Sequence, residues 1–452
     1  MTARTARLAL GALACAVALG GCMSSEASFE PLTAKPKPKA QRNQPVRVYV
    51  DKDSIGGPCN DSRPVAAAQA ATTPWCSLDR AVDSAPSGST ILVRRGSYPR
   101  LTIQGERRTR FVTIRSAPRE TATLNGFTAT NSSYWRFQGL RFAGASNLIF
   151  MGNDHIDMIG NDLTVATQVR PSLNIRFIDN RVHDLPGPPG RPEDGVGIWV
   201  VTGEQGPIRN VLIRGNTFSR LPNDAIFTDA DRVTVEHNEF DHIQSPDNNW
   251  AHADVFQGMG ANFVTIRDNF AHDNDSGILE TIAAVRGWVI ENNVCLRSES
   301  WPLQLDNELR DLKLVNNTFW GGGPVLLRWN DEHPRNPSRF IVVNNIFNRL
   351  DYDLRLNLLE GWNIVADNFL HNRFGRGTRV GVSPKFVDPR RDDYRLASGS
   401  AGIDAGTSAF GAPRRDRAGH RRRDAGAVAN RGSGAQRFFD MGAYEWTGGA
   451  GR

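Results

Sequence analysis

Short runs of alternating apolar and polar residues recur along most of the chain. Each run has an apolar residue, any residue, an apolar residue, two further residues, Asn, any residue and an apolar residue, as in IRFIDNRV and VTVEHNEF. Alternation with a period of two is typical of β-strands, and it excludes helices as the main element here. The runs therefore predict short strands, each with one inward and one outward face.

The asparagines of these runs recur at intervals that indicate a solenoid. Several intervals are 22 to 24 residues, the length of one coil in proteins whose coils contact only their neighbours. Asn tolerates the left-handed backbone conformation that a tight corner between two strands requires, and its side chain can bond the local backbone. We therefore expect the corners to stack, with one Asn above the next. The expected stack contains Asn161, Asn180, Asn216, Asn238, Asn269, Asn293, Asn317, Asn345 and Asn368.

This organisation resembles the right-handed parallel β-helix proteins of the pectate lyase type, over residues 46 to 446. The resemblance implies an all-β fold: a single-stranded right-handed parallel β-helix (solenoid) with an N-terminal cap and an irregular C-terminal closing segment. A short amphipathic helix expected around Leu78 to Ala85 matches the cap of this family. The sequences SGSAGIDAG and DMGAYEW resemble its closing segment, with Ala401 and Met441 where the family commonly has Pro and Ile.

The first residues of the chain resemble the export signal of a bacterial lipoprotein. Arg4 and Arg7 precede an apolar run that is too short to span a bilayer, and the run ends in Leu-Gly-Gly-Cys at Cys22. The resemblance implies lipidation of Cys22 and attachment of an exported, cell-surface protein to the bacterial membrane through this anchor only. The segments expected are 1–22 as signal peptide, 23–45 as flexible tether, 46–110 as N-terminal cap and first coils, 111–382 as β-helix, and 383–452 as closing segment with an Arg-rich loop.

The remaining cysteines fit an exported protein. Cys59 and Cys76 lie 17 residues apart in one polar segment, and we expect them to form a disulfide in an oxidising compartment. Cys295 falls on an apolar position of a strand pattern, which indicates a buried core residue rather than a nucleophile.

Charge is distributed unevenly along the chain. The formal net charge is +6, but residues 1–45 carry +4 and residues 414–437 carry +6, so the rest of the chain carries −4. A mildly acidic solenoid without a basic stripe argues against a nucleic-acid partner. We expect the Arg-rich stretch to be a solvated loop, with binding to an anionic wall polymer or acidic lipid as the alternative. We also expect a monomer.

Two coils are longer than the others and indicate where a site lies. The intervals from Asn180 to Asn216 and from Asn238 to Asn269 are 36 and 31 residues, and long loops on a rigid solenoid cluster on its binding face. Alignment of the strands after these loops by their apolar residues gives two expected files. The inward file is Ile198, Ile226, Val255, Ile278 and Leu303, and the outward file is Trp199, Phe227, Phe256, Leu279 and Gln304.

In this alignment the tract WAHADVFQ carries the candidate chemistry. It resembles the His-x-Asp-x-x-Gln element of exported β-helix proteins, and it presents His252 and Asp254 on the outward face beside Asn223 and Asp275. A carboxylate two residues from a histidine can orient the ring for acid–base work. Gln257 and Glu280 are expected to align in adjacent coils. The candidate catalytic residues are His252, Asp254, Glu280 and Asp224, and the candidate substrate-binding residues are Trp250, Trp199, Gln257, Gln304 and Arg286.

The residues leave the reaction open. Elimination next to a uronate needs a base, for which His252 or Arg286 is available, and a cation, often Ca²⁺ in the families that this chain resembles. Hydrolysis needs two carboxylates, which Asp254 with Glu280 or Asp224 can supply. The hypothesis is a polysaccharide lyase or glycoside hydrolase; the alternative is a non-catalytic carbohydrate- or wall-binding surface lipoprotein.

Overall fold

Each predicted repeat forms two short strands around its Asn corner, and the segment between repeats adds a third strand. The computed structural model describes residues 44–186, 195–202, 207–246, 253–280, 285–306, 309–328, 340–352, 358–367, 374–422 and 439–445. Equivalent strands of successive coils pair in parallel and build three long sheets. The protein is thus a right-handed parallel β-helix, which confirms the predicted fold class.

Sheet A contains the strand before each Asn corner and sheet B the strand after it. The strands of sheet A are Arg47–Val50, Thr90–Val93, Arg107–Ser116, Ser133–Gln138, Asp154–Ile159, Leu173–Ile178, Arg209–Arg214, Asp231–Glu236, Thr265–Arg267, Val289–Glu291, Leu312–Val315, Phe340–Val343 and Leu358–Gly361. The strands of sheet B are Gly96–Tyr98, Ala122–Leu124, Arg141–Phe142, Asp162–Leu163, Arg181–His183, Thr217–Leu221, Glu239–Ile243, Phe270–His272, Val294–Leu296, Thr318–Trp320, Ile346–Tyr352, Ile364–Asp367 and Arg379–Val380.

Sheet C contains the third strand of each coil, which follows the long loops. Its strands are Leu101–Gln104, Phe127–Thr130, Leu148–Met151, Thr167–Val169, Ile198–Val200, Ile226–Thr228, Asp254–Gly258, Ser276–Glu280, Leu303–Asp306 and Val325–Arg328. The end of Ile346–Tyr352 also pairs with sheet C, so that this strand joins it to sheet B. Two small sheets complete the fold: Val285–Arg286 with Leu309–Arg310, and the antiparallel pair Phe386–Asp388 with Asp393–Leu396. The helices are the α-helix Leu78–Ser84 and the 3₁₀ turns Ala67–Gln69 and Pro389–Arg391.

Inward residues of the three sheets form one continuous core. Because the parallel strands are in register, inward residues at equivalent strand positions lie directly above one another in successive coils. Phe218 and Phe240 lie in adjacent coils with their rings 4.9 Å apart and nearly parallel, and Phe319 and Phe347 repeat this arrangement at 5.8 Å. Burial of such files supplies the main favourable term for a solenoid.

A ladder of buried asparagines links the corners between sheets A and B. In each step the backbone N–H and the side-chain amide of one Asn donate to Oδ1 of the next, as Asn238 does to Asn269 at 2.9 and 3.0 Å. The amide also donates to a backbone carbonyl, here that of Ile213 at 2.9 Å. The stack predicted from Asn161 to Asn345 is therefore confirmed. The prediction that Asn368 forms the last step was wrong. Asn363 forms this step, because its Oδ1 accepts from the backbone N–H of Asn345 at 2.7 Å. Asn368 lies outside the described residues.

The left-handed residue of each corner is the one before the ladder Asn. Asp179, Gly215, His237 and Asp268 have φ angles of 53, 66, 56 and 57°, whereas the ladder asparagines are not left-handed. The expectation that Asn itself adopts the strained conformation was therefore wrong. Asn is needed because its amide can accept from one coil and donate to another while buried.

A helix covers the N-terminal end of the solenoid, as the resemblance implies, and the C-terminal segment packs along the side of its last coils. Helix Leu78–Ser84 buries Leu78, Ala81 and Val82 against the first coils, and Ser77 caps it by accepting from the Arg80 N–H. At the other end, the closing segment runs along the Asn corner. The residues directly before three ladder asparagines donate to it: Asn292 to the carbonyl of Arg415, Asn316 to that of Asp440 and Asn344 to that of Thr407.

Part of the Arg-rich stretch belongs to this closing segment. Arg422 is 4% exposed, and it donates to Oδ1 of Asn292 at 2.9 Å and to Glu445 at 3.3 Å. Arg417 lies over the ring of Phe270 at 5.1 Å and donates to the Tyr444 hydroxyl. The expected solvated loop is therefore wrong for these two arginines, which hold the segment to the solenoid. Residues 423–438 lie outside the described residues.

The cysteine predictions are confirmed where the structure describes them. Cys59 and Cys76 form a disulfide. Cys295 is buried, and this burial raises the pKa of its thiol to about 12, as expected of an inert core residue. Cys22 lies outside the described residues. Within the described part of the chain, every helix is too short or too polar to cross a bilayer.

Candidate functional site

The outward face of sheet C carries the predicted file in a corrected order. Trp199 pairs with Phe227, Phe227 with Gln257, and Gln257 with Leu279, which in turn pairs with Gln304. Four of the five predicted residues therefore stand in the file, and Gln257 takes the place expected for Phe256. The prediction that Gln257 aligns with Glu280 was wrong by one residue, because Glu280 pairs with Gly258 and Leu305. The side chain of Glu280 lies outside the description.

Both misplacements have one cause: the sequence does not decide which residues of the strand Asp254–Gly258 face inward and which face outward. Val255 and Phe256 are both apolar, so alternation alone does not decide which of them faces inward. The larger ring points into the core, where Phe256 is 1% exposed and lies 5.8 Å from the ring of Trp288. Phe256, and not the predicted Val255, stands in the inward file with Ile278. A slip of one residue moves every side chain of a strand to its other face.

As a consequence, Asp254 is not on the outward face. Its side chain is fully buried, and the strand register pairs it with Ser276. Ala253, one residue earlier in the same register, takes the place beside Asp275 that the sequence alignment assigned to His252. His252 and Trp250 themselves lie outside the described residues.

Asp224 and Asp254 belong to adjacent coils and contact each other directly. Oδ1 of Asp224 accepts from the backbone N–H of Asp254 at 2.9 Å, while the N–H of Ala225 donates to the carbonyl of Asp254 at 2.8 Å. Asp224 is only 4% exposed. The pair thus fixes the point where the second long loop enters sheet C, directly after residue 252. In this position Asp224 supports the strand and does not reach the surface.

Asp275 fixes the other side of the same loop. Its Oδ2 accepts from the N–H of Ser245 at 2.7 Å and, at 3.5 Å, from that of Ala253. The neighbouring Asn274 accepts from the N–H of Ile243 at 2.8 Å. Both ends of the loop that carries residues 247–252 are therefore tied to the next coil. Strand alternation alone does not reveal this role; the polar run Asp-Asn-Asp-Ser before a strand is the only sequence signal for it.

An aromatic surface lies beside these loop ends. The rings of Trp199 and Phe227 are 6.2 Å apart in an edge-to-face arrangement, and both side chains are partly exposed, as is that of Gln257. Further along the file, Leu279 and Gln304 are 4% and 9% exposed. The accessible part of the predicted substrate-binding face therefore covers the coils of Trp199, Phe227 and Gln257. Aromatic rings next to an amide suit the stacking and hydrogen bonding of sugars.

Arg286 belongs to a different corner of the solenoid. It lies on the strand Val285–Arg286, between sheets C and A, and its guanidinium lies 4.9 Å from the centroid of the Phe263 ring. This position is after sheet C in the coil, and Arg286 has no place in the outward file of Trp199. The structure thus does not bring it together with the other predicted binding residues.

The described residues do not fit the calcium ion that the family resemblance suggests. Calcium takes about six to eight oxygen ligands, whereas Asp224 and Asp275 accept from backbone N–H groups. Among the described residues, one group of three places its ligand atoms within 4.8 Å, namely Asp241, His272 and Asp273 on sheet B. Arg297 already binds both oxygens of Asp273, at 2.6 and 2.7 Å, and a histidine is no ligand for calcium. We derive no step through a metal.

Comparison with known proteins supports the fold. No model of a known protein family matches the chain. An alpha-1,3-galactosidase A from Peterkaempfera griseoplana is 28% identical over 127 residues, which make up 26% of this chain and only 18% of that protein. The solved structure of pectate lyase Pel9A matches with a TM-score of 0.54 and 15% identity, over 89% of this chain and 97% of its own.

A more distant likeness is to an alginate lyase from Paenibacillus sp. str. FPU-7. Its TM-score is 0.45 at 16% identity, over 63% of this chain and 96% of that one, which is too low for any argument. The likeness to pectate lyase Pel9A establishes a parallel β-helix and nothing about chemistry, since one fold hosts many functions.

Proposed function

We propose that this protein cleaves a polysaccharide that lies along the outward face of sheet C. The observation that supports the proposal is the accessible file Trp199, Phe227 and Gln257. It lies next to the entry of the long loop that carries His252. The aromatic pair binds sugar rings, Gln257 binds hydroxyl groups, and the loop brings an acid–base group to the bound chain.

Elimination is the reaction that fits these residues best. Asp224 and Asp254 are buried, and two carboxylates that flank a glycosidic bond must reach the substrate. We therefore assign them to positioning: Asp224 holds the backbone of Asp254, two residues after His252. His252 removes the C5 proton next to a uronate carboxylate. The electron pair forms the C4–C5 double bond, the C4–O bond breaks, and the leaving oxygen takes up a proton.

Product analysis of the purified chain tests this proposal. A panel of polysaccharides is incubated with the protein, and unsaturated uronates are followed by their absorbance at about 235 nm together with the release of reducing ends. We expect both signals to rise together on a uronate-containing substrate, and His252→Ala to slow them by about 100-fold or more. His237→Ala, an exposed histidine on the Asn corner, is the matched control. Reducing ends without absorbance would show hydrolysis and overturn the elimination step.

A non-catalytic glycan-binding protein is the second candidate. This candidate is favoured because the candidate carboxylates Asp224 and Asp254 are buried, while the aromatic pair Trp199 and Phe227 beside them is accessible. Binding of an oligosaccharide that is lost in Trp199→Ala, with neither product signal on any substrate of the panel, would support this alternative.

Export and lipid anchoring are part of the proposal. The Cys59–Cys76 disulfide supports an oxidising compartment, and the sequence around Cys22 supports lipidation. We expect the full chain to enter the detergent phase in a phase-partition experiment and Cys22→Ser to remain in the aqueous phase. Equal partitioning of the two would contradict the anchor.

A further inference from the structure

Four arginines on the outward face of sheet A are neutralised in two groups, each around one carboxylate. Glu236 is 2% exposed and lies between Arg214 and Arg267, whose nitrogens approach its oxygens to 2.5 and 2.6 Å. Asp157, fully buried, is bound in the same way by Arg136 and Arg176. In both triads a carboxylate on one coil satisfies the arginines of the two neighbouring coils, so these positive charges serve the solenoid itself.

The corner that leads into sheet A is different. The Phe263 ring has the guanidinium of Arg232 at 5.7 Å and that of Arg286 at 4.9 Å from its centroid. Neither arginine forms an ion pair with any carboxylate of the described residues. Arg286 also pairs in register with Arg310, about 4.8 Å away across the strands. These guanidiniums thus lie close together without an ion-pair partner among the described residues, although the carboxylate of Asp231, which accepts from the N–H of Asn262 at 3.1 Å, belongs to the same corner. We call Arg232, Phe263 and Arg286 the arginine clamp.

The backbone at Phe263 is unfavourable for its residue type. Phe263 has a φ of 57° and is 41% exposed, and bulky residues rarely adopt this left-handed conformation. Left-handed backbone recurs at this corner position in successive coils. It is held there by Tyr134, His155, Asn174, Asn210 and Arg232 before Phe263, and by Gly287 and Asp311 after it. A Cβ on Gly287 would lie 2.7 Å from the Phe263 ring. Gly287 therefore leaves the space that the Phe263 ring occupies.

A shallow depression adjoins the clamp on the face of sheet A. Its volume is about 360 Å³, and it is lined by Asn210, Val211, Leu212, Arg232, Thr234 and Phe263. The amide and hydroxyl groups in this lining are suitable partners for sugar hydroxyls, and the size lies at the lower end of known ligand sites. Hydrogen-bonding groups therefore lie directly beside the unpaired guanidinium of Arg232.

We propose that the arginine clamp is a second glycan-binding site, which takes the carboxylate or sulfate groups of an anionic polysaccharide. The planar guanidinium matches such groups with two parallel hydrogen bonds, and the Phe263 ring holds both guanidiniums in place by cation–π contact. The site lies on another face than the outward file of sheet C, so it is distinct from the face on which cleavage is proposed. The inference rests on the proposed function only in that the ligand is a polysaccharide.

Binding measurements on the full chain test the clamp. Calorimetry uses oligogalacturonate for carboxylate groups, chondroitin sulfate oligosaccharides for carboxylate with sulfate, and dextran as neutral polymer. The double variant Arg232→Gln/Arg286→Gln is expected to raise Kd for the anionic ligands by about five- to tenfold at low salt and by less at high salt. Phe263→Ala keeps the charges and is expected to give a smaller loss. Dextran binding is expected not to change.

A matched control removes the same charge elsewhere. Arg181 and Arg390 are exposed and have no ion-pair partner among the described residues, so Arg181→Gln/Arg390→Gln is expected to leave Kd within about twofold. An equal loss in both double variants, unchanged affinity in the clamp variant, or tighter clamp-dependent binding of DNA or anionic vesicles than of anionic glycans would overturn the proposal. Product formation by the clamp variant at saturating substrate distinguishes failure of this proposal from failure of the proposed function. If only the clamp proposal fails, the protein still catalyses elimination. If only the elimination proposal fails, the wild type still binds anionic glycans through the clamp.

Discussion

The corner between sheets A and B is built in the same way in successive coils, whereas the entry to sheet C is built differently from coil to coil. At the Asn corner, each coil repeats one left-handed residue and one buried Asn, and the side chains of neighbouring coils bond each other. At the entry to sheet C, loops of different length arrive, and each is tied by its own residue, such as Asp224 or Asp275. We therefore expect stability to depend on the repeated corner, and we propose that chemistry depends on the irregular one.

The largest expected effect concerns the closing segment on the Asn corner. In Arg422→Met, the buried Glu445 loses the Arg422 guanidinium and Asn292 loses a hydrogen bond. The burial of Arg422 lowers its pKa, while the neighbouring carboxylates of Glu445, Asp416 and Asp440 oppose this shift. We expect a loss of about 3 to 5 kcal/mol in unfolding free energy, measured by urea denaturation. Arg421→Met, on the exposed neighbour, serves as control, and an equal loss in both would mean that Arg422 does not hold the segment.

Breaking one step of the ladder is expected to cost somewhat less. Asn293→Ala leaves the N–H and the amide of Asn269 without their acceptor and the carbonyl of Ile266 without its donor. Unsatisfied buried groups predict a loss of about 2 to 4 kcal/mol. Asn210→Gly removes an exposed Asn–Asn bond at the opposite corner and keeps a residue that tolerates the left-handed φ of 60° there; it is expected to cost less than about 0.5 kcal/mol. Similar midpoints for the two variants in thermal unfolding would contradict the contrast between the corners.

The role of the residues at the entry to sheet C is tested by ligand affinity instead of by stability. Trp199→Ala removes one ring of the accessible pair on sheet C, and we expect glycan affinity to fall by about tenfold, or about 1.4 kcal/mol. Gln168, which precedes Trp199 in the same file, supplies the control Gln168→Ala, with an expected change below about twofold. Calorimetry with the substrate found in the panel gives both values. Equal effects of the two variants would place the ligand elsewhere.

The smallest expected effect is a pH dependence on sheet B. The bidentate hydrogen bonds from Arg297 hold the pKa of Asp273 well below its ordinary value. A carboxylate with a depressed folded-state pKa stabilises the fold above its unfolded pKa, about 3.9, and this contribution is lost as the pH falls below it. Arg297→Gln should therefore reduce the difference in melting temperature between pH 5 and pH 3, values chosen about one unit to either side. Arg349→Gln breaks an exposed ion pair with Asp367 and should leave this difference in melting temperature nearly unchanged.

Local pattern was sufficient for the repeated elements. The period of two, the Asn spacing and the amphipathic helix near Leu78 predicted the strands, the ladder and the cap, because each depends on contacts between adjacent coils of the same kind. The pattern was insufficient at Asp254–Gly258, where two consecutive apolar residues allow either parity. It was also insufficient for Arg422, since a charged residue is normally exposed and only its partners Asn292 and Glu445, far along the chain, make burial tolerable.

The sequence by itself determined that this protein is a β-helix with stacked asparagines, because a short repeat encodes both the strand and its corner. Only the tertiary structure decided that Asp254 faces the core and that Asp224 supports the loop of His252. It also decided that Arg232 and Arg286 lie around Phe263 without a carboxylate partner in the part of the chain that the structure describes. These facts depend on which residues of different coils share a register. Register is fixed by the packing of whole strands and by loop length, and neither is written in any single repeat.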